Sequence, residues 1–375
     1  MKFITVGNGE ILPAVGQGGM GLGGEFSRNY SNFKQCCYAL EHGIDKGLTF
    51  IDTAEVYGDG LSEEIVGEVA LGKRAKLFLA SKFSPENSSF DRVIRAAEGS
   101  LKRLKTDVID LYQFHWPNPT VPLQETLEAM TKLHEDGKIR YIGLSNFSNL
   151  EMQKAQKLVG KHRIFSNQVE YNLFDRYAEH NILPLCRTSG SVLVAYSPLD
   201  NGRAIDDEKR NSLLNSISAK YGRSPSQIAL NWLTRGDSVI VIPKAINKHH
   251  IELNAESTDF TLEEDDSDAI DQMFNSSPKL VATSDIKVIS DGIGNRRVYQ
   301  TVEQAKENAL GLSPSPIELA QSLKLDESIK PVRLVRAEPN SNYLFSLVEG
   351  RVKFWAWVIA FDGKKPIPAY IRDKL

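Results

Sequence analysis

Four side chains of this 375-residue chain have the types and the order needed to move a proton: Asp52, Tyr57, Lys82 and His115. Asp52 and Tyr57 stand five residues apart in IDTAEVYGDGLSEEIVG (Ile51–Gly67). There an apolar run (Leu48–Asp52) gives way to a loop and then to a helix, with Ser62 read as N-cap and Glu64 in the first turn. A carboxylate beside a phenol suggests proton transfer, but a phenol with a pKa near ~10 is a poor acid or base at neutral pH. It needs a cation. Lys82, which ends FLASK, supplies one: paired with Asp52 and close to Tyr57, it is expected to favour the phenolate and lower the tyrosine pKa. His115, which ends LYQFH, is placed to hydrogen-bond a substrate oxygen and orient it. Each of these alone could equally be a surface residue or a satisfied buried polar group. Their recurrence at successive strand ends is what points to a shared pocket.

The elements that must position them alternate regularly. Short apolar runs at Leu48–Asp52, Leu77–Lys82, Val108–His115, Tyr141–Ser145, Phe165–Val169, Val192–Tyr196 and Val239–Ile242 are separated by helical stretches. A first strand near Ala14–Gly18 makes eight. Such alternation implies a parallel sheet, and eight units close as a (β/α)8 barrel, whose chemistry sits at the C-terminal strand ends. A doubly wound open sheet is the alternative. Ahead of the barrel, Asn8-Gly9 between two apolar runs signals a β-hairpin. Gly16–Gly21 matches G-x-G-x-x-G, but Asp52 follows some ten residues too late for a dinucleotide fold. The glycines are read as a loop for close backbone approach or a tight turn.

Composition narrows the class. A net charge of −3 argues against a generic polyanion binder, and 41% hydrophobic residues are ample for a core. Three cysteines (Cys36, Cys37, Cys186), two of them adjacent, imply no disulfide framework. The N-terminus has no signal-like apolar run and no stretch is long enough to span a membrane, so the chain reads as a cytoplasmic protein. His42, His134, His162 and His180 lack metal-ligand spacing, and His249–His250 are neighbours rather than an i,i+4 pair, so no metal site is inferred.

Over residues 1–275 the chain resembles the aldo-keto reductases. The resemblance rests on IDTAEVYGDGLSEEIVG, LASK, FHWP, GKIRYIGLSNFS, NQVEYN, AYSPL and VIPKA. It implies that Asp52, Tyr57, Lys82 and His115 form the family's catalytic tetrad, with Tyr57 as proton donor and hydride from a reduced nicotinamide. It also implies that Ser145, Asn146 and Gln168 hold the carboxamide and that Tyr196 stacks on the ring, with Ser197 and Leu199 beside it. In VIPKAINKHHIELN, a helix starting near Asn247 offers unpaired N–H groups to an anion, and Lys244 and Lys248 add charge. The cofactor residues are then Lys244, Asn247, His250 and Asn254. Where many NADP-preferring members carry an arginine, this chain has His250, which is mostly neutral at pH 7. NADP(H) is expected on the strength of Lys244, with NAD(H) as the alternative. Equally, Lys248, His249 and His250 suit a solvated helix start. Trp116 lines the substrate site or packs under a loop, and Phe26 and Phe83 are similar cases. Specificity is expected in the loops Pro117–Pro122 and Asp200–Asp207, with small aldehydes or sugars as substrates.

The residues after the acidic helix Leu262–Met273 and the linker Asn275–Pro278 do not belong to a barrel. From Lys279 onward, 15 basic against 11 acidic side chains give +4, leaving −7 for residues 1–278. Strands are expected at Ile286–Ile289, Val332–Arg336 and Tyr343–Leu347, and helices at Val302–Leu310 and Ile317–Ser322. The domains are therefore read as 1–278 and a small α+β accessory domain, 279–375. The final stretch resembles the ParB/sulfiredoxin-type domain, in which a strand leads into a Gly-x-x-Arg helix start and a later Ile-Pro. Here the match is Gly350–Lys353, with lysine for the motif's arginine, which loses bidentate phosphate geometry. The resemblance raises Glu349, Arg351 and Lys353 as an anion site for a nucleotide or nucleic acid. Two rivals to an enzyme follow: a slow-turnover nicotinamide sensor acting through this domain, and a nucleotide-associated protein in which the tail is the active part.

Overall fold

The computed structural model describes residues 1–202, 208–274, 278–289, 298–312, 314–325, 329–338 and 341–372. It divides into two compact units, one of residues 1–117 and 123–275, the other of 276–375 with 118–122.

The first unit opens with an antiparallel hairpin, β1 (Phe3–Thr5) and β2 (Ile11–Pro13), whose turn holds Gly9 at φ +88°. Eight parallel strands follow in chain order: β3 (Gln17–Gly18), β4 (Phe50–Asp52), β5 (Phe78–Phe83), β6 (Ile109–Phe114), β7 (Ile139–Ser145), β8 (Ile164–Glu170), β9 (Val192–Tyr196) and β10 (Val239–Val241). The sheet closes. Val15 bridges Val241 in parallel, and the Gly16 N–H donates to the Val241 carbonyl at 2.8 Å. Glycine is required at this seam: a Cβ on Gly16 would sit 2.6 Å from the Phe50 carbonyl oxygen, and one on Gly18 would sit 2.7 Å from that of Ile242. The first two glycines of the G-x-G-x-x-G match are therefore explained by backbone packing within the barrel wall.

Strand alternation decides what faces the inside. Phe50, Phe78, Ala80, Leu111, Val194 and Ile240 fill the barrel together with Ile4 and Leu12 of the hairpin, while Ile51, Leu79, Phe83, Tyr112 and Phe114 pack outward against the helices. The interior aromatics stack, Phe50 on Phe78 at 5.2 Å and Phe78 on Phe165 at 5.7 Å, each pair adding ~0.5–1.5 kcal/mol beyond area burial. Phe83 is thus core, stacked on Phe114 at 5.0 Å, and not a pocket residue. Among the helices outside the strands are α1 (Phe33–Asp45), α2 (Leu61–Ala70) and α3 (Phe90–Arg103). Ser62 is not the cap of α2. The helix starts at Leu61 after a left-handed Gly60, and the Ser62 hydroxyl instead donates to the Gly19 carbonyl at 3.0 Å.

The second unit is α+β. Among the described residues its strands are β11 (Lys279–Val281), β12 (Ile286–Val288), β13 (Val332–Arg336), β14 (Phe345–Glu349) and β15 (Ile367–Arg372), ordered 11-15-13-14-12 in a mixed sheet. The helices are Val302–Lys306, Pro316–Leu325 and Arg351–Ala360. Phe354, Trp355 and Trp357 pack with Leu334 and Leu347 into a separate core. The linker expected at Asn275–Pro278 lies mostly outside the described residues, as does most of the Asp200–Asp207 loop. No helix among the described residues is long and apolar enough to cross a membrane, and no cluster there has the makings of a metal site.

Candidate active site

The same alternation that fills the barrel aims three polar side chains inward at its C-terminal end. Asp52 follows Phe50 on β4 by two residues, Lys82 follows Ala80 on β5, and Gln113 follows Leu111 on β6. Lys82 is fully buried and Asp52 is 2% exposed. The Lys82 ammonium donates to Asp52 Oδ2 at 2.6 Å, to the Thr53 carbonyl at 2.8 Å and to the Tyr57 hydroxyl at 3.3 Å. Tyr57 comes back over the barrel because the next three residues are left-handed: Gly58 (φ 55°), Asp59 (φ 51°) and Gly60 (φ 84°). Its ring meets that of His115 edge to face, 5.7 Å between centroids. Residues far apart in sequence thus form one contact chain, Asp52–Lys82–Tyr57–His115.

Burial governs their titration. It raises the Tyr57 pKa, and although Lys82 pulls the other way, the net shift is upward. This corrects the expectation of a lowered value, which weighed the cation without the desolvation of the phenolate. The Tyr57 hydroxyl is therefore protonated at neutral pH. Burial disfavours the Lys82 ammonium, yet Asp52 and Tyr57 together outweigh it and the pKa is raised. Burial, assisted by Lys82, holds His115 well below its usual 6.5, so the imidazole is neutral.

The residues expected to hold a nicotinamide line up on the following strands. Asn146, left-handed at φ 64°, donates to the His115 carbonyl at 3.1 Å and accepts from the Tyr196 hydroxyl at 3.0 Å. Ser145 Oγ donates to the Gln168 carbonyl at 3.0 Å. The Gln168 amide reaches Asp52 Oδ1 at 2.7 Å and Gln113 reaches the same oxygen at 3.3 Å. A carboxylate only accepts, so both amides turn their nitrogens to Asp52, and the Gln168 carbonyl faces away from it. Gln113 went unread in the sequence; its period-two relation to Leu111 is the signal that would have found it. Ser197 is left-handed at φ 47° and its carbonyl accepts from Asn172 at 3.1 Å, while Leu199 packs on the outer core.

At the end of β10, a Cβ on Gly21 would lie 3.8 Å from the Lys244 ammonium, which places that charge beside the glycine loop. The helix Lys248–Glu256 does not present open N–H groups throughout its first turn. Asn247 caps it, accepting from His249 N at 2.8 Å and His250 N at 3.4 Å, as a short polar side chain at this position normally does. His250 is exposed and Asn254 buried. Trp116, 39% exposed, lies 6.5 Å from the His115 ring, and Phe26 is exposed. A cavity of 630 Å³ elsewhere is lined by Arg74, Asp110, Arg140 and Tyr141 near the N-terminal strand ends. Its arginines are tied to Asp110 at 2.7 Å each, and it is remote from Tyr57 in the barrel.

Comparison with known proteins gives the family. The profile of the Aldo/keto reductase family matches residues 14–275. The methylglyoxal reductase YeaE of Escherichia coli K12 is 40% identical over 255 residues, 68% of this chain and 88% of the relative. A glyoxal reductase of Bacillus subtilis is 34% identical over 249 residues, 64% of this chain and 84% of the relative. Among solved structures, an aldo/keto reductase from Klebsiella pneumoniae in complex with NADP and acetate superposes with a TM-score of 0.66 at 36% identity, covering 73% of this chain and 95% of its own. The profile match spans most of the chain and the whole of the barrel: the protein belongs to the Aldo/keto reductase family and is an oxidoreductase.

Proposed function

We propose that the chain reduces small aldehydes, 2-oxoaldehydes first among them, to alcohols with NADPH, and that Asp52, Tyr57, Lys82 and His115 are its catalytic residues. The observation that carries this is the unbroken contact chain from Asp52 through Lys82 to the Tyr57 hydroxyl, with a neutral imidazole beside it. The substrate class is supported by relatives that reduce methylglyoxal and glyoxal, and the cofactor by the NADP complex of a related barrel. Reductase relatives lend nothing to the sensor alternative.

The residues present fit a nicotinamide dinucleotide. Ser145, Asn146 and the Gln168 side-chain amide offer amide-binding groups, Tyr196 offers a ring face, and Lys244 offers charge to a phosphate. Asn247, His250 and Asn254 lie at the same end, with NAD(H) as the weaker choice. When bound, the reduced cofactor supplies the hydride. The chain does the rest. His115, neutral, donates a hydrogen bond to the substrate oxygen and orients it. Tyr57 passes its proton to that oxygen, and Lys82, held by Asp52, stabilises the phenolate left behind. Tyr57→Phe tests the assignment: NADPH binding is retained and methylglyoxal-dependent NADPH oxidation is lost. Oxidation persisting in that variant removes Tyr57 from the role.

For the tail we infer a separate ParB/sulfiredoxin-like domain, 279–375. Support comes from β14 running into Gly350 at φ 88°, then a helix from Arg351, then β15 at Ile367-Pro368. Glu349 is already paired with Arg333 at 2.5 Å and Arg351 donates to the Ile289 carbonyl at 3.2 Å, which favours a structural turn over a phosphate site. A cytoplasmic location belongs to the same reading.

A further inference from the structure

One buried charge next to the contact chain takes no part in the chemistry above. Glu63, fully buried in the first turn of α2, accepts from Ser81 Oγ at 2.5 Å with one carboxylate oxygen and from Arg103 Nε at 2.6 Å with the other. Its partners are informative. Ser81 immediately precedes Lys82 on β5, and because strand side chains alternate, Ser81 points outward to the helices while Lys82 points into the barrel. Arg103 ends α3, and its side chain lies across the turn that carries Tyr57: a Cβ on Gly60 would fall 2.7 Å from Arg103 Cδ. A Cβ on Gly67 would likewise fall 2.4 Å from the Arg103 carbonyl, so α2 and α3 are in backbone contact here.

We propose that Glu63, with Ser81 and Arg103, is a positioning clamp that fixes the Tyr57 hydroxyl against the Lys82 ammonium. The proposal deepens the catalytic reading above and rests on it. The mechanical problem is clear. Tyr57 is joined to α2 only through Gly58, Asp59 and Gly60, all left-handed, and a left-handed non-glycine residue such as Asp59 persists only where its surroundings hold it. Ser62 ties the start of α2 to the residue after β4 and to the glycine loop, accepting from Thr53 Oγ1 at 2.8 Å and donating to the Gly19 carbonyl at 3.0 Å. Neither bond reaches β5. Ahead of Tyr57 the loop already reaches β5 through its backbone, the Thr53 N–H donating to the Ala80 carbonyl at 2.8 Å and the Glu55 N–H to the Lys82 carbonyl at 3.1 Å. Beyond Tyr57 the Glu63–Ser81 bond does so, one residue from Lys82. It sets the helix that anchors the tyrosine turn relative to the strand that carries the lysine. A buried ion pair is weak evidence for stability, and its best-attested use is to specify geometry. Here the specified geometry is the 3.3 Å between Tyr57 and Lys82.

The test uses the full chain, NADPH and methylglyoxal, with turnover expressed per NADPH-binding site measured by fluorescence titration. Ser81→Ala removes one bond with little change in volume, and Glu63→Gln keeps the shape while removing the charge. Both are expected to lower kcat per site roughly 10- to 100-fold, as a displacement near 1 Å would, with the Kd for NADPH unchanged. Arg103→Lys should retain more of this kcat than Arg103→Met. A merely structural role would reduce the number of binding sites and the melting temperature but leave kcat per site at the wild-type value, and that result overturns the clamp. If wild type oxidises no NADPH, the carbonyl-reduction reading falls. The clamp is then decided by crystals of the Ser81→Ala variant: a lengthened Tyr57–Lys82 separation supports it, and an unchanged one refutes it.

Discussion

Replacing Lys82 by methionine separates two jobs of one side chain. Lys82 is fully buried, and its loss leaves the carboxylate of Asp52, 2% exposed, without its cation. Breaking a buried pair from one side costs ~3–5 kcal/mol, because the uncompensated charge remains. Gln168 at 2.7 Å and Gln113 at 3.3 Å still donate to the other carboxylate oxygen, so the lower end, about 3 kcal/mol, is the working figure. At ~2–4 °C per kcal/mol for a unit of this size, the barrel should melt ~6–12 °C lower. A raised lysine pKa means that the contribution is whole below the ordinary lysine range and is lost only as pH climbs through the folded value. Melting at neutral pH therefore reads all of it. Activity should fall ~10²–10³-fold, the usual effect of removing a preorganised charge from a developing anion. The double variant Lys82→Met, Asp52→Asn carries no stranded charge and should recover most of the melting temperature but none of the turnover. Single and double variants melting alike, or Lys82→Met melting as wild type, would refute the electrostatic account of this pair.

Two further outcomes follow from the same site. His115, held below its usual 6.5, contributes stability that is present above that pH and lost as pH falls below it. The melting temperature should therefore drop more steeply between neutral and acidic pH in wild type than in His115→Asn, and kcat/KM should show no limb near pH 6.5 from this residue. His250→Arg places a permanent, forked charge where the cofactor's phosphate end is proposed to lie. It should tighten NADPH about 10-fold, the worth of one charged hydrogen bond, and leave NADH unchanged, as read by fluorescence titration of each.

What could be read from the sequence was whatever depends on period and order. The β5 strand, expected at Leu77–Lys82, runs Phe78–Phe83, and the run at Val192–Tyr196 is a strand over those same residues. Two-residue alternation was enough to turn Asp52 and Lys82 toward one another. Three expectations failed where the outcome depends on a competition that spacing does not express. Tyr57 had a cation beside it and a raised pKa all the same, because its burial by Lys82, His115 and the returning loop became known only once the loop had folded back. Asn247 marked the helix start correctly, yet the side chain that marks a helix start is the one that occupies its N–H groups. Ser62 looked like a cap because serine usually is one; here Gly60, free to take a positive φ, ends the turn two residues earlier. The Glu63 clamp is the strongest case. Nothing in SEEIVG distinguishes Glu63 from Glu64, yet one is fully buried against Ser81 and Arg103 while the other pairs with Arg28 near the surface, at 2.8 Å. The difference between them is a rotation of 100° about the α2 axis, set by where the left-handed turn lets the helix begin. The residue that starts the helix thus also selects which glutamate meets β5, and a shift of that start by one residue would turn a different side chain toward Ser81.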